Sequence, residues 1–236
     1  FRCHRHAGFD PTRPRANAAV VPGWDNGFVA RSVFHETLAP FAEAFANESA
    51  FPSCEALSAL AAAHARVVPP PRFEVQRPKP RRRDRDGTRT VEVATRYDGL
   101  VALTGAVPTR PSNWHDFYNA LVFIAFSRAK RALHARQFAA ARAAIPEGAV
   151  RVPGRRTREQ DHLTILDEGS VLVACAPGTR TQTEKELRAI GADAIGVDTP
   201  MIVFGHAVYE HFHFGRPALR AMTVVLELDR PPSLMR

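Results

Sequence analysis

Apolar side chains recur at three- and four-residue intervals over 29–45 and again over 53–65, two Ala-rich stretches that predict a pair of helices packed as a hairpin. Ser53, with Ala56 and Leu57 behind it, supplies an N-cap for the second, and Pro40 breaks or kinks the first. Proline then dominates 68–80, three in succession at 69–71, which predicts a linker or exposed loop over about 69–90. The β-branched run 90–97 predicts a strand, although 97–103 also suits a helix. The strongest periodic segment is 113–137, free of Gly and Pro and preceded by Pro108, Pro111 and Ser112; it predicts a long helix with a break point at Ser127.

Further on, the alternation over 161–166, the turn sequence Asp167-Glu168-Gly169-Ser170 and the apolar run 171–175 predict a β-hairpin. A short helix is expected over 183–190, and Thr199 with Pro200 behind it predicts a helix over 201–214 that stops at Gly215. A last strand is expected over 221–228, ended by Pro231 and Pro232. Residues 1–27 lack periodicity and read as an N-terminal arm, and no internal repeat occurs. The elements assemble into one α+β domain over 28–230, with a helical N-terminal part, a central buried helix and a small, mostly antiparallel sheet.

Candidate chemistry lies where polar side chains interrupt these patterns. The phrase Asn113-Trp114-His115-Asp116-Phe117-Tyr118-Asn119 places Asn, His and Asp in a segment apolar nearly all round. At about 100° per residue, His115, Asp116 and Asn119 share one arc, so the first half of this helix presents a polar patch to an interior or a cleft. Asn113 and Asp116 have a structural explanation as the two halves of a capping box. His115 and Asn119 have none. On the later helix His206, Glu210 and His213 form a stripe opposite Phe204, Val208 and Phe212, away from the expected core face. His and Glu four residues apart can chelate a divalent ion, and can equally form an exposed ion pair. In the expected hairpin, Asp161 sits near a strand end and can reach into a cleft, whereas Asp167 starts the turn.

Composition narrows the classes. With 45% hydrophobic and 24% charged residues, the 236-residue chain has the make-up of an ordinary globular domain. No apolar run of about eighteen residues occurs, so no membrane span is expected, and Phe1 opens an Arg- and His-rich segment unlike a leader. A cytoplasmic protein is expected; with Phe1 in place of Met, a trimmed N-terminus stays open. Cys3, Cys54 and Cys175 are odd in number and far apart, which predicts reduced thiols. Of the net charge of +8, the stretch 72–89 carries eight basic and three acidic side chains, leaving only +3 elsewhere. This is the charge of one solvated loop rather than of a spread nucleic-acid recognition face. No Walker A loop, dinucleotide glycine fingerprint or nucleophile elbow occurs.

Three separated phrases resemble a known family. The stretch 97–137, with its Pro108-Thr109-Arg110 lead and Phe126-Ser127-Arg128-Ala129-Lys130 tail, the phrase Asp161-His162-Leu163-Thr164-Ile165-Leu166-Asp167-Glu168, and Phe204-Gly205-His206-Ala207-Val208-Tyr209-Glu210 occur in the order found in the bacterial domain of unknown function 3025. The resemblance runs from about Trp24 to the last strand. It departs at Phe123 and Ser127, where a Trp and a Pro are expected, both read as packing and turn positions. The resemblance implies a common fold and a shared site region without naming a reaction.

Two readings from different classes follow. In the first, the chain is an enzyme in which His115, Asp161, His206 and Glu210 converge in a cleft, either holding a divalent metal ion that activates water, as in a hydrolase, or acting directly as acid and base. Asn119 and Arg110 would then orient an anionic small molecule. In the second, the polar phrases form buried structural networks and the basic loop contacts nucleic acid or another protein.

Overall fold

The computed structural model describes residues 23–76, 93–145, 156–190, 200–216 and 219–229. Its first part is a series of tight turns instead of the expected continuous helix. The 3₁₀ segments Phe28–Arg31, Val33–Leu38 and Glu43–Phe45 flank a single α-helical turn, α1 (Ala39–Ala42). Pro40 explains the interruption: it sits in the first turn of α1, where its missing N–H costs nothing, and it cannot continue a ladder from upstream. The second expected helix forms as α2 (Cys54–His64), with the Ala56 N–H donating to Ser53 Oγ at 3.2 Å. It packs against β1 (Arg72–Val75) and α4 (Trp114–Ala125).

β1 lies within the stretch expected to be loop, and pairs in parallel with β2 (Ala106–Thr109) from Arg72↔Ala106 to Val75↔Thr109. Of the basic stretch 72–89, residues 77–89 lie outside the described residues. Where a strand was expected, Val93–Thr95 is a 3₁₀ turn leading into α3 (Tyr97–Thr104), whose last turn is closed by Gly105 at φ 69°.

The long helix breaks as expected. α4 ends at Phe126, whose φ of −117° and ψ of 39° leave the helical region, and α5 (Ser127–Ala143) starts after it. Ser127 Oγ accepts the Arg66 N–H at 2.8 Å, tying the bend to the exit of α2.

The expected hairpin is absent. Residues 158–169 form α6 (Arg158–Gly169), because a full capping box outweighs the local alternation: the Gln160 N–H donates to Thr157 Oγ1 at 3.2 Å, and the Thr157 N–H donates to Gln160 Oε1 at 2.8 Å. Gln160, Leu163 and Asp167, three and four residues apart, are the positions it turns inward, so a short apolar pattern compatible with both periods resolved to the helical one. α6 leads directly into β3 (Ser170–Cys175), the central strand of a three-stranded sheet ordered β4–β3–β5. β4 (Met201–Val203) is antiparallel to β3, and β5 (Met222–Glu227) is parallel to it. The fold class is α+β as expected, but two of the three strand pairings are parallel, which corrects the mostly antiparallel sheet. The loss of the hairpin accounts for this: β3 reaches β5 only after α7 (Arg180–Ile190), β4 and α8 (His206–His213).

α8 is also shorter than the predicted helix, since its first residues are spent in β4 and Thr199 lies outside the described residues. Gly205 marks the junction. A Cβ there would stand 2.3 Å from Ser170 N and 2.5 Å from Glu168 O, so only glycine lets the start of α8 press against the turn between α6 and β3. The N–H groups of Phe204 and Gly205 both donate to Ser170 O there, at 3.1 and 2.9 Å.

The core is aromatic. Trp114, Phe117 and Tyr118 of α4 pack with Phe28, Phe51 and Tyr209. Trp24 stacks on Trp114 at a centroid distance of 5.3 Å, so the end of the expected N-terminal arm is part of the core. Cys54 and Cys175 are buried free thiols, and Cys3 lies outside the described residues. No helix among the described residues is long and apolar enough to cross a membrane.

Candidate active site

α4 and α8 cross so that the first turn of one meets the first turn of the other, and His115 and His206 stand at the crossing. Their Nε2 atoms are 3.0 Å apart. His115 Nδ1 is 2.9 Å from Glu210 Oε2, and His206 Nδ1 is 2.9 Å from the carbonyl oxygen of Asp167. These contacts, with the burial of His206, assign the protons. A carbonyl only accepts, so His206 Nδ1 carries hydrogen, and burial keeps His206 neutral, which turns a lone pair at Nε2 toward His115. His115 must then donate from Nε2 to His206 and from Nδ1 to Glu210, which makes it an imidazolium.

The electrostatics agree with this assignment. The hydrogen bond to Glu210 raises the His115 pKa above the usual imidazole value, outweighing partial burial. His115 in turn holds the Glu210 carboxyl below the ordinary range, with Arg216 and Arg110 adding to the effect and burial opposing it. His206, only 3% exposed, is driven well below the usual value, first by burial and then by the charge of Lys130. The chain Glu210–His115–His206 thus runs from a half-open mouth, where the side chains of His115 and Glu210 are 30% and 19% exposed, into the interior.

Behind His206 lies a buried ionic knot. Lys130 is 0% exposed; its ammonium donates to Asn119 Oδ1 at 2.9 Å, pairs with the Asp167 carboxylate, and lies 4.4 Å above the Phe123 ring. Burial pulls the Lys130 ammonium downward and Asp167 opposes it. Burial alone would raise Asp167, yet the charge of Lys130 holds it below the ordinary carboxylate range. Asn119 Nδ2 donates to the Tyr97 hydroxyl at 2.8 Å, and His134 Nδ1 donates to Asp98 Oδ1 at 2.9 Å, with its Nε2 3.9 Å from Asp167 Oδ1. Asn119 and Lys130 are eleven residues apart, roughly 16 Å along a straight helix, so the break at Phe126 is what brings them together.

Of the residues expected from sequence, His115, His206 and Glu210 are brought together and Asp161 is not. Asp161 is exposed in the first turn of α6, with no hydrogen bond or ion pair to the other three, because the strand that would have carried it is a helix. Asp167, expected to start a turn, is the acidic residue that joins the site. Asn119 faces the knot and not a substrate, and Arg110 is held by Asp116 through Nε at 3.0 Å and Nη2 at 2.7 Å. The capping box is half formed: the Asp116 N–H donates to Asn113 Oδ1, but the Asp116 carboxylate turns to the Arg110 side chain and its N–H at 2.6 Å. The stripe of α8 expected to face away from the core is covered, with His206 and His213 buried, since α8 packs against α4, α6 and the N-terminal turns at once. The Tyr118 hydroxyl and His213 Nδ1 are hydrogen-bonded at 2.9 Å.

Lys130, His134 and Tyr97 were not expected at the site from sequence, and Asp167 was expected only as a turn residue. The available signal was helical spacing: Lys130, Leu133, His134 and Gln137 occupy the positions of α5 at which apolar residues face a core. Among the described residues no group of three or more His, Cys, Asp and Glu side chains is arranged to hold a metal ion.

A family model described as Protein of unknown function (DUF3025) matches residues 86–234. The chain belongs to that family. The DUF3025 match includes α3 to β5 and therefore every residue of the knot and of the Glu210–His115–His206 chain. No curated protein and no solved structure matches this DUF3025 member. Its two departures from the expected family phrase, Phe123 and Ser127, are indeed packing and bend positions: Phe123 stacks on His134 at 5.2 Å, and Ser127 anchors the break between α4 and α5.

Proposed function

We propose that this protein is an enzyme of acid–base chemistry, with hydrolysis of a small molecule as the reaction class and His115 as the group that exchanges the proton. The observation that carries this reading is the hydrogen-bonded chain from Glu210 through His115 to His206, open to solvent at one end only. Glu210 stabilises the imidazolium form, so His115 is held in its acid form, and a substrate atom that takes the place of Glu210 Oε2 at Nδ1, the open side, receives the proton. His206 positions the ring: buried and neutral, it offers one lone pair to Nε2 and restricts rotation. A carboxylate, an imidazole and an orienting acceptor in one hydrogen-bonded line is the arrangement by which proteins tune a histidine for proton transfer.

The test is turnover of a panel of carboxylic esters, amides and phosphoesters by the full chain, repeated with His115→Gln and Glu210→Gln, together with elemental analysis of the purified protein. Loss of turnover by about 10²- to 10⁴-fold in His115→Gln, with the fold intact by circular dichroism, supports the reading. Turnover unchanged in both variants sinks it. Stoichiometric metal lost in His115→Ala and His206→Ala would transfer the role to a metal-activated water.

A further inference from the structure

Taking the acid–base reading of His115 and Glu210 as its basis, we propose that the substrate is a small molecule with an anionic oxygen group, carboxylate or phosphate, held by Arg110, and a compact apolar end seated in the cavity between the N-terminal ends of α2 and α4. The cavity has a volume of about 120 Å³, and Phe51, Pro52, Leu57, Pro111 and Phe117 contribute its apolar wall. An engineered apolar cavity of about 150 Å³ admits benzene, so the buried end is no larger than about six carbon atoms.

Arg110 stands on the wall of this cavity with its side chain 53% exposed. Asp116 grips its Nε and Nη2, and also the Arg110 backbone N–H, so the guanidinium plane is fixed before any ligand arrives. Its Nη1 has no protein partner among the described residues. A planar fork with one edge anchored and one edge open suits a two-oxygen anion, and the entropy of ordering it is already spent. Asp116, which holds this guanidinium, directly follows His115 in α4, and the charge of Arg110 helps to lower the Glu210 carboxyl. Arg216, at 3.6 Å from Glu210 Oε1, adds a second cation acting on that carboxyl. Glu55, the acidic side chain on the cavity wall, is exposed to solvent.

The probes are benzoate, phenyl phosphate and benzyl alcohol, titrated into the isotopically labelled full chain and followed by NMR. Saturable shifts at Leu57, Phe117 and His115 with an anionic probe, at least tenfold tighter than with benzyl alcohol, support the proposal, and the tighter of benzoate and phenyl phosphate identifies the head group. Arg110→Gln is expected to weaken the anionic probes about tenfold and leave benzyl alcohol unchanged; Leu57→Phe, which fills the cavity, removes all three. Phe51→Trp, at a partly exposed position, serves as the second filling variant should Leu57→Phe unfold the chain. Absent shifts, shifts mapping elsewhere, or anion affinity indifferent to Arg110→Gln overturn it. Probe binding without a turnover defect in His115→Gln would retain the cavity and remove the acid–base reading; a turnover defect without probe binding would do the reverse.

Discussion

The Nε2 atoms of His115 and His206 face each other at 3.0 Å, and one proton must lie between them. If His115 loses a proton it has one hydrogen for two acceptors. Either two lone pairs then oppose each other across 3.0 Å, or the Glu210 carboxylate faces a bare nitrogen. Both are repulsive, so the arrangement and the charge of His115 rise and fall together.

The first prediction concerns pH. Because the folded His115 pKa is raised above 6.5, the stability it contributes is fully present below 6.5 and is lost as pH rises through the folded value. Histidine ring signals in NMR should show His115 titrating above 6.5 and His206 remaining neutral throughout that range. A His115 that titrates below 6.5 would contradict the proton assignment. Any turnover that uses His115 as an acid should fall on the same alkaline limb.

On the acid side the sign reverses. His35, His206 and His213 all have folded values lowered by burial, His213 to about 4, so the unfolded chain binds more protons as pH drops below 6.5. Stability measured by urea denaturation should therefore decline between about pH 6.5 and 4. Within that window His213→Asn should flatten part of the slope; an unchanged slope would show that His213 does not report on folding.

Removing one side of the buried pair should be costly. Lys130→Met leaves the Asp167 carboxylate inside with its cation gone, and a loss of about 3–5 kcal/mol is expected. The double variant Lys130→Met with Asp167→Asn should recover a good part of that loss. A double variant no better than the single would mean that packing around Lys130, and not charge, sets the cost.

Gly205→Ala tests the junction beneath the site. The added Cβ has backbone atoms within 2.6 Å on the far side, so α8 must move, at a cost of roughly 1–3 kcal/mol. The His206 bond to Asp167 O is expected to break with it, visible as a change in the His206 ring signals. An unperturbed His206 in a folded Gly205→Ala variant would contradict this coupling.

Much of the site was legible from residue type and spacing, and less of its surroundings. His115, Glu210 and His206 stood out because polar side chains interrupted apolar helices, and helix crossing did the rest. Asp161 was misassigned because a six-residue alternation fits a strand and a half-buried helix alike, and the deciding capping box sits upstream at Thr157 and Gln160. Lys130 and His134 escaped notice because a charged residue at a core position looks like a surface residue until its partner is known. That partner, Asp167, lies 37 positions away on another helix. The parallel pairing of β3 with β5 is likewise non-local, and local periodicity carries no information about it.

The absence of a side chain at position 205 also gives a way to sort relatives by sequence. A protein of the same fold with any larger residue there must hold α8 off the turn after α6, and its histidine at the next position would lose the carbonyl that selects its tautomer. The dipeptide Gly205-His206 is therefore a two-letter sequence test: a chain of this fold that keeps both letters can close the bond from the second to the carbonyl in α6, and one with a larger first letter cannot close it in this way.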